Sequence, residues 1–276
     1  MQVPTMAPPR WVAADTQVLT AWLPVPGFGV LPVNAYLIHG VEPTLVDTGL
    51  AALREPFLQA LGELIDPVAL RWIWLTHLDP DHVGNLEAVL AVAPHARVVT
   101  NYLGMGKMGL LQLPVDRVFL LNPGQRLDLG DRALLSVAPP VFDAPETAGL
   151  FDTRSRALFS ADCFGALMQA PADEVADVPP TALAEGMRTW ATVDAPWLNM
   201  VQPRRHDAAL QALRGFEPAI VLGSHLPPAR GCLDTLCGHL ASAREATPFV
   251  GPDQAGLERL MEEAVLPPAP EGEVAP

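Results

Sequence analysis

Short apolar runs dominate the first half of the chain. "TQVLTAWLP" (16–24), "NAYLIHG" (34–40) and "PTLVDTG" (43–49) are β-prone stretches bounded by Pro or Gly, and each predicts a strand. The period then changes. "LAALREPFLQALGELI" (50–65) spaces its apolar residues by three and four, so a helix follows Gly49. "LRWIWLT" (70–76) is apolar throughout and predicts a strand buried on both faces. "VGNLEAVLAVAP" (83–94) is helical up to Pro94, and "ARVVT" (96–100) is again a strand. Beyond 115 the strand pattern returns in "DRVFLL", "QRLDLG", "RALLSVAP", "TAGLFD" and "ALFSAD". From about 181 the chain turns helical, through "TALAEGMRTWATVDAPWLNMV" and "RHDAALQALRGF". One strand, "AIVLGS", precedes the helices "GCLDTLCGHLASAREA" and "DQAGLERLMEEAV". There is no repeat at fixed spacing. Two blocks of strands, each followed by helices, predict two stacked sheets flanked by helices.

Composition narrows this to one domain. The chain has 276 residues and is 50% hydrophobic, enough for one large α/β core, and no linker interrupts its middle. We expect a flexible segment over 1–14, a single domain over 15–265 and a disordered, Pro-rich tail over 266–276. Acidic residues outnumber basic ones by 31 to 17, for a net charge of −14. That excludes nucleic acid and an anionic membrane surface as natural partners. No apolar run reaches the ~20 residues that span a bilayer, and the start lacks a signal-peptide pattern. Cys163, Cys232 and Cys237 lack metal-site spacing and read as reduced thiols. These points favour a cytoplasmic protein. The oligomeric state is open, with a homodimer among the options.

Chemistry concentrates in "WLTHLDPDHVGN" (74–85), which offers His77, Asp79, Asp81 and His82 where a buried strand gives way to a helix. A lone Asp there would read as a helix cap. Four donors in six residues read instead as a metal-binding loop. In extended backbone His77 and Asp79 point the same way, while Asp81 and His82 turn towards a second position as the helix begins.

This loop resembles the His-x-His-x-Asp-His loop of the metallo-β-lactamase-fold superfamily, whose fold is a four-layer αββα sandwich. The resemblance spans most of residues 30–230. "PTLVDTG" matches the strand that ends in a supporting Asp, here Asp47. "PPVFDAPETAGLFDTRSRALFSADCFG" is similar to the flavodiiron and oxygen-binding di-iron branch. It places Asp162 as the bridging carboxylate and Asp143 where that branch has His. His225, in "VLGSHLPP", falls at the final ligand. The resemblance thus implies His77, Asp79, Asp143 and Asp162 for one metal, and Asp81, His82, Asp162 and His225 for the other. Asp79 also departs from the pattern, standing where hydrolases of the fold have His and flavodiiron proteins have Glu.

A usual hydrolase of the fold surrounds its metals with five His and two Asp. Three His and four Asp would bring two divalent ions to a net charge near zero. Such a set acidifies bound water less and prefers harder ions, so iron is favoured over manganese or zinc. The first expectation is a centre that binds or reduces oxygen or a similar small ligand. The sequence shows no glycine-rich phosphate loop or further βαβ unit, so the expected partners are a small molecule and an external electron donor. A second expectation is a hydrolase of a small ester, thioester, lactone or phosphoester, with Asp81 as the catalytic residue orienting a metal-bound hydroxide. A third is a degenerate, non-catalytic site. Hydrolysis of β-lactams does not follow from the name of the fold. "NYLGMGKMGLL" (101–111) is expected to be a flexible wall or lid, and Trp190 and Trp197 to share a helical face unless Pro196 breaks it.

Overall fold

The computed structural model describes residues 3–265. The first sheet is built from β1 (Thr5–Met6), β2 (Arg10–Ala13), β3 (Thr16–Val25), β4 (Gly29–Ile38), β5 (Thr44–Val46), β6 (Trp72–Trp74), β7 (Arg97–Thr100) and β8 (Val118–Leu120). Their order is β1-β3-β4-β5-β6-β7-β8, with β2 also paired to β3. β3 and β4 form a long antiparallel hairpin, whereas β5 to β8 run parallel. The parallel crossovers carry α1 (Arg54–Leu64), α2 (Pro80–Val83) with α3 (Leu86–Val92), and α4 (Tyr102–Leu110).

The second sheet holds β9 (Arg126–Asp128), β10 (Ala133–Val137), β11 (Gly149–Asp152), β12 (Ala157–Phe159), β13 (Ile220–Leu222) and β14 (Ala229–Arg230), in the order β14-β13-β12-β11-β10-β9. Between β12 and β13, the only parallel pair in this sheet, run α5 (Pro180–Asp194) and α6 (Pro203–Arg214). α7 (Leu233–Ala243) and α8 (Gln254–Val265) close the described chain.

Strand alternation sorts the side chains into three cores. Leu19, Leu37, Leu45, Ile73 and Val98 face outward and pack under α1 and α3. Their neighbours Val18, Tyr36, Ile38, Val46, Trp74 and Val99 face inward, onto Leu134, Leu150, Phe159 and Leu222 of the second sheet. The outer face of the second sheet, with Phe151, Leu158 and Val221, packs against α5, α6 and α7. The result is the expected αββα sandwich.

Three local expectations are corrected. The opening segment, expected to be flexible over 1–14, contributes β1 and β2, because its backbone finds partners along the exposed edge of β3. "NYLGMGKMGLL" forms α4 rather than a loop, despite three glycines. The Asn101 side chain caps it by accepting from the Gly104 amide at 3.1 Å, and Met108 anchors it in the core. Trp190 and Trp197 do not share a helix, since α5 stops at Asp194, two residues before Pro196. The tail expected over 266–276 lies outside the described residues.

Candidate metal centre

Four strands deliver the site at one end of the sandwich. β5 runs into Asp47, β6 into Thr76 and His77, β12 into Asp162 and β13 into His225. Each is the C-terminal end of a strand in a parallel pair, where an α/β sheet leaves a crevice. The loop after β6 then folds back as α2. Asp79 occupies its N-cap position, but its carboxylate accepts no capping hydrogen bond. Thr48 and Asn85 hold this turn against the end of β5. The Thr48 amide and hydroxyl donate to the His82 carbonyl at 2.7 and 2.8 Å, and the Asn85 side chain donates to the Thr48 carbonyl at 2.7 Å.

Three imidazoles are aimed by the same device. The Nδ1 of His82 lies 2.9 Å from Asp47 Oδ2, and the Nδ1 of His225 lies 2.8 Å from the Pro32 carbonyl. Both partners only accept, so a hydrogen sits on Nδ1 and Nε2 is the nitrogen that faces the cluster. The Thr76 hydroxyl donates to Asp47 at 2.7 Å and therefore accepts from His77 Nδ1 at 3.2 Å. His77, His82, Asp47 and His225 are all at most 1% exposed.

The three Nε2 atoms converge on Asp162. Its Oδ1 is 3.4 Å from His82 Nε2, and its Oδ2 is 3.5 Å from His77 Nε2 and 3.3 Å from His225 Nε2. Asp81 adds a carboxylate 3.5 Å from His82 Nε2 and 3.3 Å from His225 Nε2. On the other side, Asp143 lies 4.0 Å from His77 Nε2, and Asp79 joins them. The donors thus form two groups, His77–Asp79–Asp143 and Asp81–His82–His225, with Asp162 beside His77 and His82 between them. All seven ligand residues expected from the sequence gather in one cluster, and Asp47 stands behind it.

The electrostatics of the cluster favour positive charge. Burial disfavours a charged His225, but the Asp162 and Asp81 carboxylates override it and push its pKa up to about 9. Burial likewise disfavours charge on His82, yet Asp162, Asp47 and Asp81 raise it well above the ordinary value. Burial raises Asp143, and Asp79 and Asp162 add to that, with His77 opposing. Asp162 is driven far below the usual carboxylate range, because the three imidazoles outweigh its burial. The Nε2 atoms of His77 and His82 and Oδ1 of Asp162 are buried without any hydrogen-bond partner. Orphaned lone pairs facing crowded carboxylates fit cations, and three imidazoles with four carboxylates suit two transition-metal ions.

Two residues outside the expected set flank the cluster. Trp190 lies with its ring centre 4.7 Å from that of His225 and donates to the Asp162 carbonyl at 3.0 Å. Gly165 makes room for it, since a Cβ there would lie 2.4 Å from the indole nitrogen. Core packing was the better sequence reading of Trp190, and only its contact with His225 marks it as part of the site. Asp194, on the last residue of α5, was not singled out at all. Its pKa is pushed up to about 8 by burial and then by Asp162 and Asp143.

A four-layer sandwich with this ligand-bearing loop at its strand ends defines the metallo-β-lactamase fold class. Within that class the chain belongs to the ODP family of beta-lactamase-fold proteins, whose model matches residues 31–196. It is 36% identical over 135 residues to a putative diflavin flavoprotein A 1 of Thermosynechococcus vestitus, a match covering 48% of this chain and 24% of that protein. Its fold is similar to that of rubredoxin oxygen:oxidoreductase from Desulfovibrio gigas, with a TM-score of 0.74 at 21% identity over 86% of this chain and 60% of that one. It is also similar to the Flv1 flavodiiron core from Synechocystis, with a TM-score of 0.73 at 21% identity over 88% of this chain and 62% of that one. The chain therefore matches about a quarter of that curated relative and under two thirds of each of these solved chains.

Proposed function

We propose that this protein holds a di-iron centre that binds or reduces oxygen or a related diatomic. The observation that carries the reading is the convergence of three buried imidazole Nε2 atoms on one central carboxylate, Asp162, between two flanking donor groups. His77, Asp79 and Asp143 would hold one ion, Asp81, His82 and His225 the other, and Asp162 would reach both. Iron bound there would supply electron exchange with a small ligand, and four carboxylates favour its higher oxidation state. The family and the flavodiiron likeness support the same reading. The D. gigas relative is named for oxygen and rubredoxin, which suggests a small redox protein as electron donor.

The residues around the ions do the remaining work. Asp47, Thr76 and the Pro32 carbonyl hold the three rings by Nδ1, so Nε2 is the nitrogen each ring turns towards a metal. Trp190 and the buried floor of the site exclude water from the side of His225. Asp79, Asp81 and Asp143 are the donors that reach solvent, and through them the centre would be open to a small ligand.

Elemental analysis of protein purified without chelator, with an optical spectrum under air, tests the reading. About two irons per chain and a visible band that bleaches on reduction are expected, with oxygen consumption once a reductant is present. Zinc or manganese without such a band would overturn it and turn the search to hydrolase substrates.

A further inference from the structure

Strand β4 carries one residue that strand-forming tendency does not explain. Asn is disfavoured in strands, and a buried amide is costly unless its donors and acceptor all find partners. Asn34 nonetheless lies in the middle of β4, 3% exposed, between the buried Val33 and Ala35. Alternation puts it on the same inward face as Tyr36, towards the second sheet.

What it meets there is the loop that carries His225. Its Nδ2 donates to the Gly223 and Leu226 carbonyls, each at 2.9 Å, and its backbone amide donates to the Ser224 carbonyl at 2.9 Å. Carbonyls only accept, so the side-chain amide cannot be turned round. The Thr20 hydroxyl, directly opposite on β3, locks it by donating to Oδ1 at 2.8 Å. Tyr36 adds a second hydrogen bond to the Gly223 carbonyl at 2.8 Å. The remaining carbonyl of the loop, that of His225, accepts from the Ala166 amide at 2.8 Å. One residue thus holds three of the four carbonyls from Gly223 to Leu226, and two residues before it the Pro32 carbonyl holds the ring. The loop follows a strand of the second sheet, yet a strand of the first sheet sets its shape.

We infer that Asn34 is the positioning residue of His225: it touches no donor atom of the centre, and it fixes the loop that keeps His225 Nε2 beside Asp81 and His82. This rests on the metal-binding reading above. Asp47 serves His82 and, through Thr76, His77, whereas Asn34 serves the third imidazole alone. Its loss should therefore weaken one ion and spare the other.

The test titrates the metal-free full chain with iron(II) under argon, in competition with a colour-forming chelator. Wild type, Asn34→Ala, His225→Ala and the double variant are compared. The binding step that His225→Ala abolishes marks the ion held with Asp81 and His82. In Asn34→Ala that step should weaken by about 10–100-fold and the other should stay unchanged. In the double variant Asn34→Ala should cause no loss beyond that of His225→Ala, because it acts through that ring. Tyr36→Phe, which removes one hydrogen bond to Gly223 and keeps the aromatic ring, should weaken the same step less, and it carries the test if Asn34→Ala does not fold. Equal weakening of both steps, or additive losses in the double variant, would overturn the proposal by making Asn34 a general packing residue. So would binding unchanged by Asn34→Ala or, where that variant does not fold, by Tyr36→Phe. Proton NMR of the metal-free chain reads the Nδ1 hydrogen of His225, identified as the resonance that His225→Ala lacks. It should exchange slowly with water in wild type and faster in Asn34→Ala and Tyr36→Phe. If wild type bound no iron, the metal-binding reading would fail, and that resonance would still decide whether Asn34 positions the ring.

Discussion

Asp47 shows how much one buried side chain can settle. It accepts from the Thr76 amide at 2.8 Å, from the Thr76 hydroxyl and from His82 Nδ1, and so orients His82 directly and His77 through Thr76. Asp47→Ala would release both rings while leaving every ligand in place. Metal affinity should fall about 10–100-fold, as read by competition against a chelator. Affinity unchanged within error would mean that packing alone aims the rings. At this scale the sequence was readable where donors cluster, as in His77, Asp79, Asp81 and His82. It was silent on Asp194, a single acid at the end of an amphipathic helix, which pattern alone cannot tell from solvated surface. Trp190 was visible as an aromatic, but its contact with His225 depends on β12, β13 and α5 meeting, which no local pattern states.

At the scale of elements, the C-terminal end of α2 is packed tightly against the segment that follows β5. A Cβ on Gly84 would lie 2.3 Å from the Ala51 amide nitrogen and 2.5 Å from the Gly49 carbonyl oxygen. Backbone cannot move aside as a flexible side chain can. Gly84→Ala should therefore cost about 1–3 kcal/mol in chemical denaturation and loosen metal binding, since α2 carries Asp81 and His82. A variant as stable as wild type would show that the loop has slack. Strands and long helices were legible because period two and period 3.6 leave different apolar spacings, as in "LRWIWLT" against "LAALREPFLQALGELI". α4 was not, because Gly104, Gly106 and Gly109 lower helix propensity while burial of Met108 and the Asn101 cap supply what propensity lacks.

At the scale of the whole molecule, the two ends of the sandwich hold opposite kinds of charge cluster. Far from the site, the turn between β9 and β10 carries Arg132, 6% exposed, paired with Asp15, Asp131 and Asp152 at 2.9–3.1 Å. That network supplies its own cation. The metal centre does not, and in the metal-free protein protons on His82 and His225 take the cations' place. Their pKa values are raised in the folded state, so their contribution to stability is complete below the unfolded value near 6.5. The His225 part is lost as pH rises through about 9, and the His82 part as pH rises through its own raised value. Chelator-treated protein should thus melt lower at about pH 10 than at about pH 7, and bound metal should reduce the difference. An equal drop with and without metal would place the alkaline loss elsewhere. Among the described residues no helix is long and apolar enough to cross a membrane.

The donors come from both halves of the chain: residues 77–82 follow the first sheet's central strand, whereas Asp143, Asp162 and His225 belong to the second sheet. During synthesis, then, the first half emerges with its loop of imidazoles and carboxylates ready but open on one side. The cage cannot close until His225 has left the ribosome and β13 has docked beside β12. Capture of metal is therefore a late event in the life of each new chain, and a full complement of metal certifies that both sheets have found each other.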